Sequence, residues 1–127
     1  MVEQMREIVF RGRAKGGMWV IGNLIWYPDV NRAYITTGDY FKGKAVEVER
    51  LTVGQYTGMK DRNGRRIFEG DILKEQDIAV EGEIQIPGSC YTVEMRKGVW
   101  AIIGEKEWDF LHTNAERCEV VGNVYEN

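Results

Sequence analysis

The chain has 127 residues, of which 43% are hydrophobic and 29% charged, as in one globular domain or two small ones and unlike a disordered protein. One serine (Ser89), one histidine (His112) and two cysteines (Cys90 and Cys118) exclude most hydrolase and metal-dependent chemistry. The net charge is −3. Residues 1–6 lack the apolar core of a signal peptide, and no apolar run is long enough to span a bilayer. We therefore expect a cytoplasmic protein.

Predicted strands fill the first half of the chain. Residues 6–11 form a short β-rich run that Gly12 ends, with basic residues exposed in the loop that follows. Residues 18–27 form either one bent strand with a bulge at Gly22 or two strands turned there. Two further strands are predicted at residues 33–37, ended by Gly38 and Asp39, and at residues 46–49.

Turn residues divide the second half into short strands as well. Asn63 and Gly64 form a strong turn signal because both accept positive φ at low cost. Gly98 marks a hairpin, and Gly122 marks a bulge in the last strand. The predicted strands lie at residues 67–68, 72–73, 79–86, 91–95, 99–103 and 119–125, and residues 108–112 are ambiguous between a strand and one helical turn.

The regular spacing of these turns predicts an all-β fold. No long window has a clean helical period, so helix should be minor. Short strands with turn signals at intervals of about 8–12 residues are typical of a barrel or a sandwich.

Four runs carry a resemblance to a known family. The run TVGQYTG at residues 52–58 continues through the turn at Asn63 and Gly64, and IFEGDI follows at residues 67–72. The opening residues 6–13 and the closing residues 119–127 match in the same order. On these motifs the chain resembles the YopX family of phage and prophage proteins over its whole length, as a single YopX-like unit of residues 1–127.

The resemblance implies an SH3-like barrel in the C-terminal half. We expect an N-terminal β meander packed on that barrel, and if the single unit is subdivided, the meander is residues 1–50 and the barrel residues 51–127. Glycines such as Gly70 and Gly82 agree with a barrel, because strongly bent strands bring backbones close together. The resemblance also implies a phage or prophage protein in the cytoplasm of a bacterial host. It transfers no catalytic, cofactor-binding or metal-binding residue. Relatives often continue with a tail resembling Pro-Glu-Leu-Leu, whereas this sequence ends at Asn127.

The candidate nucleophiles do not form a convincing catalytic set. Ser89 with His112 is the sole serine–histidine pair, and its surroundings are not those of a nucleophile elbow. Cys90 or Cys118 with His112 is the remaining nucleophile–base option. We interpret the serine as an exposed loop residue and the cysteines as packing residues, and we expect no enzyme, no cofactor and no metal site.

Three further motifs have structural interpretations. Residues 53–58 lack the spacing of a phosphate-binding loop, so we predict a structural loop in which Tyr56 fills the core. The turn after Asp61 resembles a calcium loop but has an arginine and an isoleucine at ligand positions. Asp71 is predicted to accept backbone N–H bonds, and Glu81 and Glu83 to lie on a solvent-facing strand edge.

Basic residues form two groups that could contact a partner or phosphates. Residues 1–66 carry a net charge of +5 and residues 67–127 a net charge of −8, so the two halves could attract each other within or between chains. A solvated turn is the favoured interpretation of the second group. The candidate contact residues are Arg11, Arg13 and Lys15 in the first group, and Lys60, Arg62, Arg65 and Arg66 in the second.

These observations predict a non-enzymatic interaction module that acts through protein–protein contact or self-association. We expect a homo-oligomer or a host or phage protein as partner, and no membrane. Weak nucleic-acid binding by a small barrel is the alternative, which the acidic net charge disfavours. The four tryptophans could stack on bases, but we expect them to dominate the core and any subunit contact: Trp19, Trp26, Trp100 and Trp108.

Overall fold

The computed structural model describes residues 7–37, 44–82 and 84–126, and the chain divides into two compact units, Met1–Gly58 and Met59–Asn127. The expected all-β fold is confirmed. The described residues contain no α-helix, and their two single turns of 3₁₀ helix are Leu111–Thr113 and Ala115–Arg117. The predictions that involve Arg6, Gly38, Asp39, Glu83 and Asn127 lie outside the described residues.

The N-terminal unit is an antiparallel meander whose first strand also pairs with its last. Each strand pairs with the next, and β1 pairs with both β2 and β4, so the four strands close into a ring of pairings. The consecutive antiparallel pairings are those of the expected meander, and the pairing of β1 with β4 joins its first strand to its last. The strands are β1 (Phe10–Ala14), β2 (Trp19–Tyr27), β3 (Arg32–Thr37) and β4 (Lys44–Lys60).

Glycines let these strands approach closely. At Gly22 a Cβ atom would lie 2.1 Å from the Thr36 carbonyl oxygen, so only glycine fits there. The strand nevertheless runs on through Gly22, so the one-strand alternative is correct. Gly12 does not end β1 as predicted. It lies within the strand, where a Cβ would meet the Val48 side chain at 2.6 Å.

β4 is longer than predicted, because it includes the run interpreted as a structural loop. Gly54 and Gln55 pair with β1, and the Tyr56 amide donates to the Val9 carbonyl at 2.8 Å. The loop prediction for residues 53–58 is therefore wrong. Tyr56 is buried as expected, and Gly58 has a φ of 85°.

The C-terminal unit contains a five-stranded antiparallel sheet in the order β11, β10, β9, β6, β12. β5 pairs with β4, and β7 with β8. The SH3-like barrel stays a prediction, since the described pairings define this order without closing it. The strands are β5 (Arg66–Phe68), β6 (Asp71–Glu75), β7 (Ile78–Val80), β8 (Ile84–Ile86), β9 (Cys90–Arg96), β10 (Val99–Ile103), β11 (Trp108–Phe110) and β12 (Cys118–Asn123).

Local turn chemistry in this unit follows the sequence closely, with one exception. The hairpin at Gly98 and the register shift between Val120 and Gly122 are both as predicted. The predicted strand at residues 79–86 is instead a hairpin, and Glu81 lies in its turn with a φ of 53°. Placing Glu81 on a strand edge was therefore wrong. The ambiguous segment at residues 108–112 is a strand followed by a 3₁₀ turn.

Each unit has its own buried cluster, and none of the tryptophans belongs to either. Trp26 and Trp108 are 44% and 56% exposed, so the expectation that tryptophans dominate the core is wrong. Trp100 is partly buried and packs against the second cluster. The first cluster is Ala14, Val20, Ala33, Ile35 and Val48, and the second is Ile67, Leu73, Tyr91, Val93, Ile102, Leu111, Ala115, Cys118 and Val120.

Candidate functional site

The basic turn, residues 60–66, is held by one buried carboxylate. Asp61 Oδ1 accepts hydrogen bonds from the amides of Asn63 and Arg65, and Oδ2 accepts one from the Val120 amide, each at 2.9 Å. Burial alone would raise the pKa of Asp61, but these three backbone donors outweigh it and lower the pKa from its usual 3.8. Gly64 supplies a φ of 80°. The turn is therefore a fixed platform for its cations.

Not all of the cations predicted on the basic turn are both exposed and outside an ion pair with a described residue. The Arg62 guanidinium binds the Glu119 carboxylate at 2.6 Å, which lowers the pKa of Glu119. Arg66 is half-buried in β5. Lys60 and Arg65 are exposed and lie in none of the ion pairs found among the described residues.

The three cations predicted in the N-terminal unit have three different environments. Arg11 is buried, with its guanidinium carbon 5.0 Å from the centre of the Trp19 ring. Arg13 donates to Glu49 at 2.8 Å, and Lys15 is exposed in the turn after β1. The two basic groups belong to different units. Of the seven candidate residues, the exposed Lys15, Lys60 and Arg65 are best placed for an external contact.

A wide bulge in β4, residues 50–53, was not predicted. Arg11 pairs with Gly54 and Arg13 pairs with Glu49, so four residues of β4 oppose Gly12 alone. The bulge is fixed by Thr52, whose hydroxyl accepts from the Arg13 amide at 2.9 Å and donates to the Glu49 carbonyl at 2.6 Å. No sequence signal marks it, because the register shift depends on pairing with a distant strand.

A cavity of about 280 Å³ lies beside the β4 bulge. Its lining is mostly apolar, with one cation. Leu24 and Val53 also pack on the first core cluster, whereas Trp26 and Arg50 are exposed, so the cavity opens to solvent above that cluster. The lining residues are Leu24, Trp26, Ala33, Arg50 and Val53.

The aromatic edge, formed by Trp108, Phe110 and His112, lies on and just after β11. The Trp108 and Phe110 rings meet edge to face with centroids 5.5 Å apart, and the His112 ring lies 5.5 Å from Phe110. Trp108 is 56% exposed and Phe110 is 40% exposed. β11 is the last strand of the described sheet, so these rings border an edge available for pairing.

Polar side chains fix the end of the aromatic edge. The buried Asn114 donates to the Phe110 carbonyl at 2.7 Å and accepts from Arg117 at 2.9 Å. The Phe110 amide donates to Asp109 at 2.7 Å, and this bond lowers the pKa of Asp109. Charges of both signs lie near these rings, because Asp109 interacts electrostatically with Arg117.

The residues considered as candidate nucleophile and base, Ser89, Cys90, Cys118 and His112, lie in ordinary surroundings. Cys118 is fully buried, and burial raises the pKa of its thiol, which disfavours the reactive thiolate. Ser89, Cys90 and His112 are exposed. Within residues 7–37, 44–82 and 84–126, no three His, Cys, Asp or Glu side chains come together as metal ligands would. The same ranges contain no helix that is long and apolar enough to cross a membrane.

Comparisons with known proteins identify the family. The crystal structure of protein EF1440 from Enterococcus faecalis is similar at a TM-score of 0.57 and 19% identity, over 97% of this chain and 96% of that chain, which shows a shared fold. No curated protein sequence matches. The family model described as YopX protein matches residues 9–127. Because this match covers essentially the whole chain, the protein belongs to the YopX family.

Proposed function

We propose that this YopX-family protein is a non-enzymatic interaction module that acts through protein–protein contact, in the first instance with further copies of itself. The aromatic edge supports the proposal. Aromatic side chains are enriched in protein interfaces because they bury a large area at low entropic cost. Trp108 and Phe110 present such area on a sheet edge, where a second strand can also pair with backbone groups.

The proposed setting is the cytoplasm of a bacterial host in which a phage or prophage is expressed. This setting rests on the family, while the interaction itself rests on the aromatic edge.

Sedimentation velocity of the full chain tests the proposal. We expect oligomers of the unmodified protein at micromolar concentrations, at both low and physiological salt. Replacing Trp108 and Phe110 with serine should produce monomers, because it removes apolar area from the surface without opening the core. Met18→Ser is the matched control, since Met18 is 72% exposed in the other unit.

Two outcomes would contradict self-association through this edge. An unmodified protein that is monomeric under all these conditions would overturn self-association itself. Oligomers that persist unchanged in the double serine variant would remove the aromatic edge from the contact.

Weak nucleic-acid binding is the second candidate, and the basic turn supports it. Lys60 and Arg65 are exposed on a turn that Asp61 fixes. The turn nevertheless belongs to the C-terminal unit, whose net negative charge disfavours binding to phosphates. Residues 59–127 hold nine Lys and Arg against fourteen Asp and Glu, a net charge of −5, and residues 1–58 hold eight against six, a net charge of +2.

Binding by two exposed cations would be weak, and its affinity would fall only modestly with salt. Neutralising about two phosphates gives a slope of about −2 in log affinity against log salt. Replacing Lys60 and Arg65 with glutamine should abolish retention of labelled DNA and RNA at low salt, while Lys97→Gln in another exposed turn should not. Absence of retention by the unmodified chain would dismiss this candidate.

A further inference from the structure

The cavity beside the β4 bulge combines an apolar lining with one cation, Arg50, that forms no ion pair within the described ranges. Carboxylates near it on β4 are already engaged, because Glu49 binds Arg13 at 2.8 Å and Glu47 binds Arg32 at 3.7 Å. Arg50 is exposed and makes no ion pair with any described residue. A guanidinium in this position is available to a carboxylate from outside the chain.

The β4 bulge holds its residues in a set conformation. The Thr52 hydroxyl binds both the Arg13 amide and the Glu49 carbonyl, so the backbone on the N-terminal side of Arg50 is tied to β1. On the other side, Val53 packs against the first core cluster. Arg50 therefore projects from a backbone fixed at both ends, which lowers the entropic cost of binding.

The apolar part of the lining suits an aromatic or aliphatic group. Trp26 is 44% exposed and offers its ring, and Leu24 is half-buried beside it in the lining. A volume of about 280 Å³ fits a small ligand or one large side chain.

We propose that this cavity is a binding site for an apolar group that bears a carboxylate. The apolar part lies against Trp26, Leu24 and Val53, and the carboxylate accepts two parallel hydrogen bonds from the Arg50 guanidinium. Such a group is found in small aromatic acids and at the C-terminal residue of a peptide. The site lies within the N-terminal unit and does not depend on the aromatic edge.

Titration of the full chain with phenylbutyrate, followed by NMR, tests the proposal. The signals to follow are the Trp26 indole N–H and the Leu24 methyl groups. Phenylbutanol is the matched neutral ligand. We expect the acid to bind about tenfold more tightly than the alcohol, as a charge-assisted hydrogen-bonded pair implies. Arg50→Gln should remove that preference, and Lys44→Gln, at an exposed position of the same sheet, should leave it intact.

A dipeptide ending in phenylalanine, as free acid and as amide, forms the second arm. Binding of the free acid but not the amide supports a chain terminus as the source. Binding of phenylbutyrate alone supports a small acid. The proposal is overturned if the acid and the alcohol bind equally, if Arg50→Gln binds the acid as the unmodified chain does, or if no ligand shifts either signal.

Discussion

The two units differ in what fills their interiors. Among the described residues, the N-terminal cluster has five buried members, two of them alanines, and the strands of this unit close into a ring of backbone pairings. The C-terminal cluster has nine, among them Ile67, Leu73, Ile102 and Leu111. Within the part of the chain that the structure describes, the first unit therefore relies more on hydrogen-bonded closure, and the second relies more on apolar packing.

Each unit also offers a candidate surface. In the N-terminal unit it is the cavity beside Arg50. In the C-terminal unit it is the exposed apolar area at Trp108 and Phe110, on the last strand of the described sheet. The comparison predicts that truncating a core side chain costs the most stability in the C-terminal unit. In the N-terminal unit, it predicts that a substitution which disturbs strand pairing is the clearest test.

The largest effect should follow truncation in the C-terminal core. Leu73 is fully buried, so Leu73→Ala should lower the free energy of unfolding by about 3–5 kcal/mol through lost burial and a cavity. Leu51→Ala makes the same chemical change at a residue that is 71% exposed, and should change stability by less than about 0.5 kcal/mol. Urea unfolding measures both. Similar losses in the two variants would refute the proposed reliance on packing.

The next largest effect should follow removal of the carboxylate that holds the basic turn. Asp61→Ala leaves the Val120 amide without its acceptor and removes two further charge-assisted bonds. We expect a loss of about 2–3 kcal/mol, measured by thermal and urea unfolding. Asp29→Ala, at an exposed turn residue, is the control and should be nearly neutral.

The contribution of Asp61 should also depend on pH in a defined direction. Its pKa in the folded state is lowered below the usual 3.8, so its stabilising effect is fully present above about 3.8 and is lost as the pH falls through the folded-state value. The stabilities of the unmodified chain and Asp61→Ala should therefore converge in acid. A constant difference down to the lowest accessible pH would show that the carboxylate charge is not responsible.

A smaller effect should follow a backbone clash in the N-terminal ring. Gly22→Ala places a Cβ against the Thr36 carbonyl, and should cost about 1–3 kcal/mol as the strands separate. At Gly122 nothing lies within 4 Å of a Cβ, so Gly122→Ala should have almost no effect. Hydrogen exchange should locate the Gly22→Ala loss in β2 and β3. Undisturbed exchange in both strands would mean that the ring tolerates widening.

The smallest effect should follow loss of the ion pair beside the β4 bulge. Arg13→Gln removes the contact with Glu49, whose side chain is 52% exposed, so we expect a loss of about 0.2–1 kcal/mol that decreases with salt. Unfolding at low and high salt measures it. A loss of stability that is larger and independent of salt would indicate that this ion pair determines the conformation of the bulge.

Local features of the fold could be predicted from the sequence, because their causes lie within a few residues. Gly64 and Gly98 supply positive φ in the turns where they were expected. Asp71 accepts the Phe68 amide at 2.7 Å, as predicted for the turn before β6. The bulge before Gly122 was also foreseen.

Features that depend on distant partners could not be predicted in the same way. The β4 bulge arises from its register with β1, and Arg11 is buried because Trp19 lies on the neighbouring strand. A glycine in the sequence does not by itself distinguish a strand from a turn. Gly54 pairs within a strand, whereas Gly82 lies in a turn with a φ of 75°. The candidate cations could thus be identified from the sequence. Which of them are exposed to solvent could not be predicted from it.

The contrasting environments of the two thiols provide a built-in probe of unfolding. Cys90 is exposed, whereas Cys118 is fully buried with a raised thiol pKa. A maleimide should therefore label the native chain once, at Cys90, without any substitution. A second label requires the C-terminal core to open, so the rate at which doubly labelled chains accumulate in a mass spectrum counts those openings directly.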